Sequence, residues 1–332
     1  MIKSINTLGK FLDQPILVSK LDKAMPAMVS LGASAYLAHD VFQKDKKGKI
    51  TKEDKKDFLE KAVVMAFSVA SAFLAPKIAS KITGRNMLAP LEKVKEKNTE
   101  LIENFKKDNK LSEKMTNVLN KGKEKILSFG EVGEIFEELG KNKKGKEFLL
   151  KLIPDPENIK ARDIFSEIGY LSIYGAVPVI GGITGGILSD KIIEPETAEA
   201  KIPNKISEGI FQYLANIFMC NVGAGAALAC LEKLNITSKA ARALGMTAGI
   251  ILTGVVGGAK IANTISKKVI NPFLPKDKKL KERIPEPMDL CMHTDDIATV
   301  SLLSGLKWIE PALPVLYTVS GYKAGTGYTN NK

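Results

Sequence analysis

Arginine is nearly missing from this chain. Of 49 basic residues only four are arginine, namely Arg85, Arg162, Arg242 and Arg283, so the formal net charge of +12 is carried by lysine. Lysine supplies a point charge without the planar fork that reads bases and clamps phosphates. That excludes the most specific modes of nucleic-acid recognition and points instead to anionic lipid headgroups, where point charges suffice at about 1 kcal/mol each. Histidine is scarcer still. With only His39 and His293, acid-base or nucleophilic chemistry built on imidazole has few places to sit, and His39 beside Asp40 reads as an interfacial polar residue. The three cysteines, Cys220, Cys230 and Cys291, suggest no disulfide framework. There is no G-x-x-x-x-G-K-[ST] phosphate loop, no G-x-S-x-G elbow and no H-E-x-x-H helix. The expectation from these absences is a non-enzymatic protein with no cofactor.

What is present is an alternation. Nearly uncharged stretches at 24–38, 62–76, 168–189, 209–231 and 243–259 are separated by lysine-dense linkers, and the mean hydropathy of −0.01 averages the two kinds away. The stretch 168–189, IGYLSIYGAVPVIGGITGGILS, has 22 residues and no formal charge. At 1.5 Å per residue that is about the roughly 30 Å of a hydrocarbon core. Gly181 with Gly185 and Gly182 with Gly186 form overlapping G-x-x-x-G pairs, which put bare backbone on one helix face so that a neighbour can approach. Gly245 with Gly249 and Gly254 with Gly258 repeat the spacing in the stretch 243–259. The stretches 24–38 and 62–76 are only 15 residues each, short for a span and suited to a re-entrant or interfacial hairpin. The start resembles a secretory signal, with Ala33-Ser34-Ala35 as a cleavage site. Asp13, Asp22 and Pro26 interrupt it, so it reads as retained sequence.

Between about Leu91 and Ile153 the chain is hydrophilic, with apolar residues at helical spacing: Leu91, Val94, Leu101, Ile102 and Phe105, then Met115, Val118 and Leu119, then Val132, Ile135, Phe136 and Leu139. These are amphipathic helices, with breaks expected at Lys121-Gly122, Phe129-Gly130 and Gly140 to Gly145. Pro272, Pro275, Pro285 and Pro287, with lysines between, read as a surface linker. A faint internal echo aligns 181–195 with 257–272, the kind of similarity that duplicated membrane repeats leave.

Three polar constellations carry candidate chemistry. Gln43 to Asp54 matches parts of a calcium loop, but Gln43 and Lys47 occupy places that need oxygen ligands, so a solvated turn is expected. Asp289, Cys291, His293 and Asp295 alternate, which in an extended segment would aim four zinc-competent side chains at one side; Thr294, Asp295 and Asp296 also read as the cap of a following helix. In the last apolar segment, 297–322, Lys307 and Glu310 lie near the middle, ahead of Pro311. With Gln212 and Asn216, four apart on a helix, they define a candidate intramembrane polar site, while two short interfacial helices with Trp308 at the headgroup level are the competing arrangement. The residues from Gly321 onward read as a soft tail.

The expected fold is therefore an all-α, polytopic membrane protein of glycine-zipper (G-x-x-x-G) packed helices with a small lysine-rich helical domain inserted after the first helix pair. The expected units are a membrane-associated hairpin at 1–85, the lysine-rich surface domain at 86–162 and a glycine-rich transmembrane domain at 163–332. Its partners would be the bilayer and anionic headgroups, with self-association through the glycine-rich helices and no nucleic acid. A bacterial inner membrane is the expected location, although lysine on both sides of the spans leaves the orientation open. A structural or interaction component is the leading functional expectation, followed by a small-solute or ion transporter or channel, and then by a metal-dependent membrane enzyme.

Overall fold

Apolar residues recurring every three to four positions give helices throughout, and no strand occurs among the described residues of the computed structural model, which are 2–42, 52–86, 88–153, 160–293 and 310–328. Helices α1 (Ile2–Leu12) and α2 (Pro15–Phe42) lead to α3 (Lys52–Thr83). The charged segment forms four short helices: α4 (Leu91–Asp108), α5 (Glu113–Gly122), α6 (Phe129–Leu139) and α7 (Lys143–Leu152). Then come α8 (Ala161–Ile193), α9 (Pro195–Tyr213), α10 (Met219–Lys233), α11 (Lys239–Gly249), α12 (Ala259–Ile265), α13 (Pro287–Cys291) and α14 (Leu313–Thr326). π-helical turns at Leu214–Phe218, Ile250–Gly258 and Ser266–Ile270 join α9 to α10, α11 to α12, and α12 to the loop beyond.

Among the described residues, four helical stretches are long and apolar enough to cross a bilayer: Lys52–Thr83, Ala161–Ile193, Pro195–Lys233 and Ala241–Phe273. The apolar stretch at 62–76 is thus the middle of a helix of 32 residues, not a short interfacial element, because flanking lysines and acids extend the helix at both ends. The helix of the stretch 243–259 runs on through α12 and its π-turn to Ile270, just ahead of the proline-rich segment. The expected soft tail is a correction of another kind. Gly321 to Thr326 are helical and packed inside the bundle, where Tyr322 is buried beside Ala33, Val64 and Met65. The residues 297–309 lie outside the description; from Glu310 the chain makes a 3-10 turn through Pro311 and then enters α14.

Helix α8 is the centre of the bundle. A Cβ placed at Gly182 would fall on the carbonyl oxygen of Gly321, and one at Gly186 on that of Gly325, so α8 and α14 touch backbone to backbone. The neighbouring glycines face the other way: a Cβ at Gly181 would strike Ser71 Oγ, and one at Gly185 would lie 2.6 Å from Phe67 Cβ on α3. As residue numbers rise along α8 they fall along α3 and rise along α14, so α3 runs antiparallel to α8 and α14 runs parallel to it. Tyr174 and Tyr317 continue the α8–α14 seam with ring centroids 5.4 Å apart. Elsewhere, Gly223 and Gly249 meet through their backbones, and a Cβ at Gly258 would lie 2.7 Å from Ala215 Cα. A Cβ at Gly254 would come within 3.1 Å of Cys220 Cβ, and one at Gly245 within 2.7 Å of Leu231 Cδ1.

The four short helices have their own apolar centre, built from Ile102, Met115, Leu119, Val132, Ile135, Phe148 and Leu149 among others. Their starts are locally encoded. Ser128 caps α6 in a reciprocal box with Glu131, and the Ser112 and Asn142 side chains cap α5 and α7. Phe129 and Gly130, expected to break the chain, open α6 instead because the cap directly precedes them. Burial would raise the Glu131 carboxyl, but its hydrogen bonds to Lys121, the largest influence, hold it below the usual glutamate range. The layer is tied to the N-terminus by Gln14, whose Oε1 accepts from Leu127 N at 2.7 Å and whose Nε2 donates to Leu127 O at 2.9 Å. Thr83 ends α3, Ala161 begins α8 and Lys233 ends α10 on the side of this layer; Ala161 N donates to Glu232 Oε1 at 3.1 Å. The α8–α9 turn and the start of α3 lie at the opposite end.

Candidate functional site

One face of the helix running from Pro195 to Lys233 carries Lys201, Lys205, Glu208, Gln212 and Asn216. The steps of four, three, four and four residues keep them in one row, about 22 Å from first to last at 1.5 Å per residue. Lys205, Glu208, Gln212 and Asn216 are all buried, with Lys205 at 1% and Gln212 at 0% exposure. A charge in such a place must be paired and hydrogen-bonded, and each of these is.

At the outer end, Lys205 Nζ lies 3.0 Å from Asp190 Oδ2 on α8 and 3.4 Å from Glu60 Oε1 on α3. It also donates to the carbonyls of Gly325 at 2.7 Å and Gly186 at 3.3 Å. The two glycines that let α8 and α14 touch therefore also bare the carbonyls that hold this lysine. Lys201 bridges Glu194 at 2.8 Å, Asp190 at 3.5 Å and Glu60 at 3.9 Å. On α9 alone, then, two lysines gather three carboxylates, Glu60 from α3, Asp190 from α8 and Glu194 from the turn between α8 and α9.

Three residues further along, Glu208 accepts from Arg283 Nε at 2.9 Å. The Arg283 guanidinium lies between the rings of Phe211 and Tyr328, 4.3 and 4.5 Å from their centroids, and its backbone is fixed by paired bonds with Asn263 at 2.9 Å each. Arg283 Nη2 meets Asp289 Oδ2 at 2.9 Å, and Lys323 Nζ reaches Asp289 Oδ1 and Glu286 Oε2, both at 3.1 Å. Burial by itself would push the Asp289 carboxyl up, but Lys323 and Arg283 together with the Glu286 backbone N–H hold it below the usual aspartate range. At the inner end Gln212 Nε2 donates to Glu208 Oε1 at 2.7 Å, and Asn216 Nδ2 donates to Gln212 Oε1 at 2.8 Å and to Asp289 Oδ1 at 3.3 Å. Asn216 sits in the π-turn Leu214–Phe218.

Of the residues singled out from the sequence, Gln212, Asn216 and Asp289 come together here. Glu310 is buried in the 3-10 turn before α14, and Lys307 lies outside the described residues, as therefore does its pairing with Glu310. The alternating cluster does not form an extended row: Pro287–Cys291 is helical, and residues two apart on a helix do not face one another. Asp289 is committed to Arg283 and Lys323, and His293 is fully buried. Asp295 is outside the described residues, as are the proposed cap and positions 43–51 of the calcium-like loop. No group of three or more metal-competent side chains occurs among the described residues. Cys220 is buried, its Sγ donating to Ile217 O at 3.0 Å, and Cys230 is exposed.

The residues that sequence reasoning passed over are Lys201, Lys205, Glu208, Glu60, Asp190, Arg283 and Lys323. Their signal was the four-three-four-four row extending back from Gln212, and the isolation of Arg283 as one of only four arginines. Four helices among the described residues are long and apolar enough to cross a membrane, which is compatible with a membrane protein. Neither a protein-family profile nor a curated protein nor a solved structure matches it.

Proposed function

We propose that the protein is a multi-pass inner-membrane transporter or channel that passes protons or a small cation along the α9 seam, without catalytic chemistry of its own. The observation that carries this reading is the buried row Lys205, Glu208, Gln212 and Asn216 on a helix long and apolar enough to span. Ionisable side chains inside a span are costly and usually line a substrate or proton route. The row alternates titratable groups with amides that can hand hydrogen bonds from one to the next, and its inner end lies in a π-turn, a distortion frequent at functional sites. The carboxylates Asp190, Glu208 and Asp289 would hold the cation or proton in turn, and Lys205 would limit entry by its own charge.

The test is reconstitution of the purified protein in liposomes with an entrapped pH dye and imposed proton, sodium and potassium gradients. Flux above that of empty liposomes, reduced at least tenfold in Glu208→Gln, is expected. Flux indistinguishable from empty liposomes under all three gradients would overturn the reading.

A second reading, a structural or interaction component held by glycine-zipper packing and able to self-associate, is favoured by the backbone contacts of Gly182 and Gly186 with Gly321 and Gly325. Helices seated on each other's backbones resist the relative motion that alternating access requires.

A further inference from the structure

At the opposite end of the molecule from the charged seam, a cavity of about 270 Å³ opens between the start of α2 and the lysine-rich layer. Its apolar wall is Pro15, Val18, Leu88 and Val94, and its polar lining includes the buried Ser19, Asn98 and Asp13. Three lysines complete it: Lys93 and Lys97, one turn apart on α4, and Lys151 at the end of α7. All three are exposed, so their ammonium groups are free to close over a ligand. The walls are already fixed. Gln14 ties the α1–α2 break to Leu127, and Asn98 donates to Gly122 O at 3.2 Å.

The position of the cavity identifies the occupant. Leu88 and Ala89 follow shortly after Thr83, where a bilayer-length helix ends, and Pro15 opens the helix whose later residue Ala33 packs beside Val64 and Met65 inside the bundle. The cavity therefore sits at the depth where the chain passes between the apolar bundle and the basic layer, which is the level of lipid phosphates. Three cations against one carboxylate favour an anion, and the volume suits a glycerophosphate headgroup while leaving acyl chains outside. We propose that this cavity is a specific site for the headgroup of an anionic phospholipid, clamped by Lys93, Lys97 and Lys151. The proposal rests on the membrane reading above and is independent of ion conduction.

The test uses the full-length protein in detergent, titrated with short-chain phosphatidylglycerol, short-chain phosphatidylcholine and inorganic phosphate, with binding followed by native mass spectrometry. Phosphatidylglycerol should bind in preference to both of the others. Each of Lys93→Gln, Lys97→Gln and Lys151→Gln should weaken it roughly fivefold, and the triple variant about a hundredfold, if each lysine contributes as a surface cation does. Ala89→Trp, which fills the mouth without changing charge, should also abolish it. Three exposed lysines elsewhere on the layer, Lys107, Lys110 and Lys144, serve as the control; their triple change to Gln should leave binding within twofold. Equal loss in both triples, or binding that survives Ala89→Trp, would mean diffuse attraction and overturn the site. Inorganic phosphate binding as tightly as the lipid would overturn the lipid assignment. Membrane extraction of the same variants separates the two ideas: a protein that stays in the membrane but shows no lipid preference sinks only the site.

Discussion

At the residue scale the most consequential side chain is Lys205. Its ammonium is compensated by Asp190, Glu60 and two backbone carbonyls in a setting where no water is needed to complete its bonds. Removing one member of a buried pair leaves the others charged and unpaired, at a cost of about 3 to 5 kcal/mol. Lys205→Met should therefore lower the denaturation midpoint in detergent sharply, and adding Asp190→Asn to it should recover part of the loss because one stranded charge disappears. Additive losses in the double variant would mean that the two residues do not act on each other. This site was only half legible beforehand. Gln212 and Asn216 stand out because they interrupt an apolar stretch, whereas Lys205 and Glu208 look like ordinary surface residues in the charged approach to it. Arg283 was hidden by a stretch rich in lysine and proline, whose composition says solvent while its fold brings one guanidinium inward.

At the scale of elements, glycine spacing tells which helix faces can approach but not which helices they meet. The pairs at 181–186 are visible in the sequence; that one face receives α3 and the other receives the last helix is not, because partners distant in the chain leave no local pattern. Helix boundaries were misread where a cap was passed over, as at Ser128, whose box with Glu131 turns the expected break at Phe129-Gly130 into a helix start, and where flanking charges continued a helix beyond its apolar middle, as in α3. The glycines are also unequal. At Gly182 the obstruction is a backbone carbonyl that cannot move aside, while nothing lies within 4 Å of a Cβ at Gly169 on the same helix. Gly182→Leu should destabilise the protein strongly and more than Leu171→Ala does, and Gly169→Ala should raise stability by up to about 1 kcal/mol through helix propensity. Thermal unfolding of the three variants in one detergent checks the ranking, and a Gly182→Leu protein as stable as the wild type would contradict the close seating.

For the whole molecule, the alternation of apolar stretches and lysine-rich linkers was enough to read an all-helical chain with helices of bilayer length, since that pattern is set by composition over windows of 15 to 25 residues. The way the bundle closes was not readable, because closure depends on a helix of 14 residues whose apolar start shows in the sequence but whose glycine-bearing end reads as a tail, and whose seat on α8 leaves no local pattern. With four bilayer-length helices, the protein should remain in the pellet after high-salt and alkaline carbonate washing. Quantitative release would show that the apolar faces are covered by something other than lipid.

The parallel seating of α14 on α8 has a consequence for the order of assembly in the cell. The ribosome makes α14 after every other described helix, yet Lys323 and the Gly325 carbonyl complete both ends of the charged seam. A growing chain must therefore hold Asp289, Lys205 and their partners in some other arrangement until α14 emerges and seats on the face of α8 that α3 leaves open. Until that late helix is seated, each cluster of the seam lacks one of its compensating groups, so the helix made after the rest is the one that neutralises what the earlier helices bury.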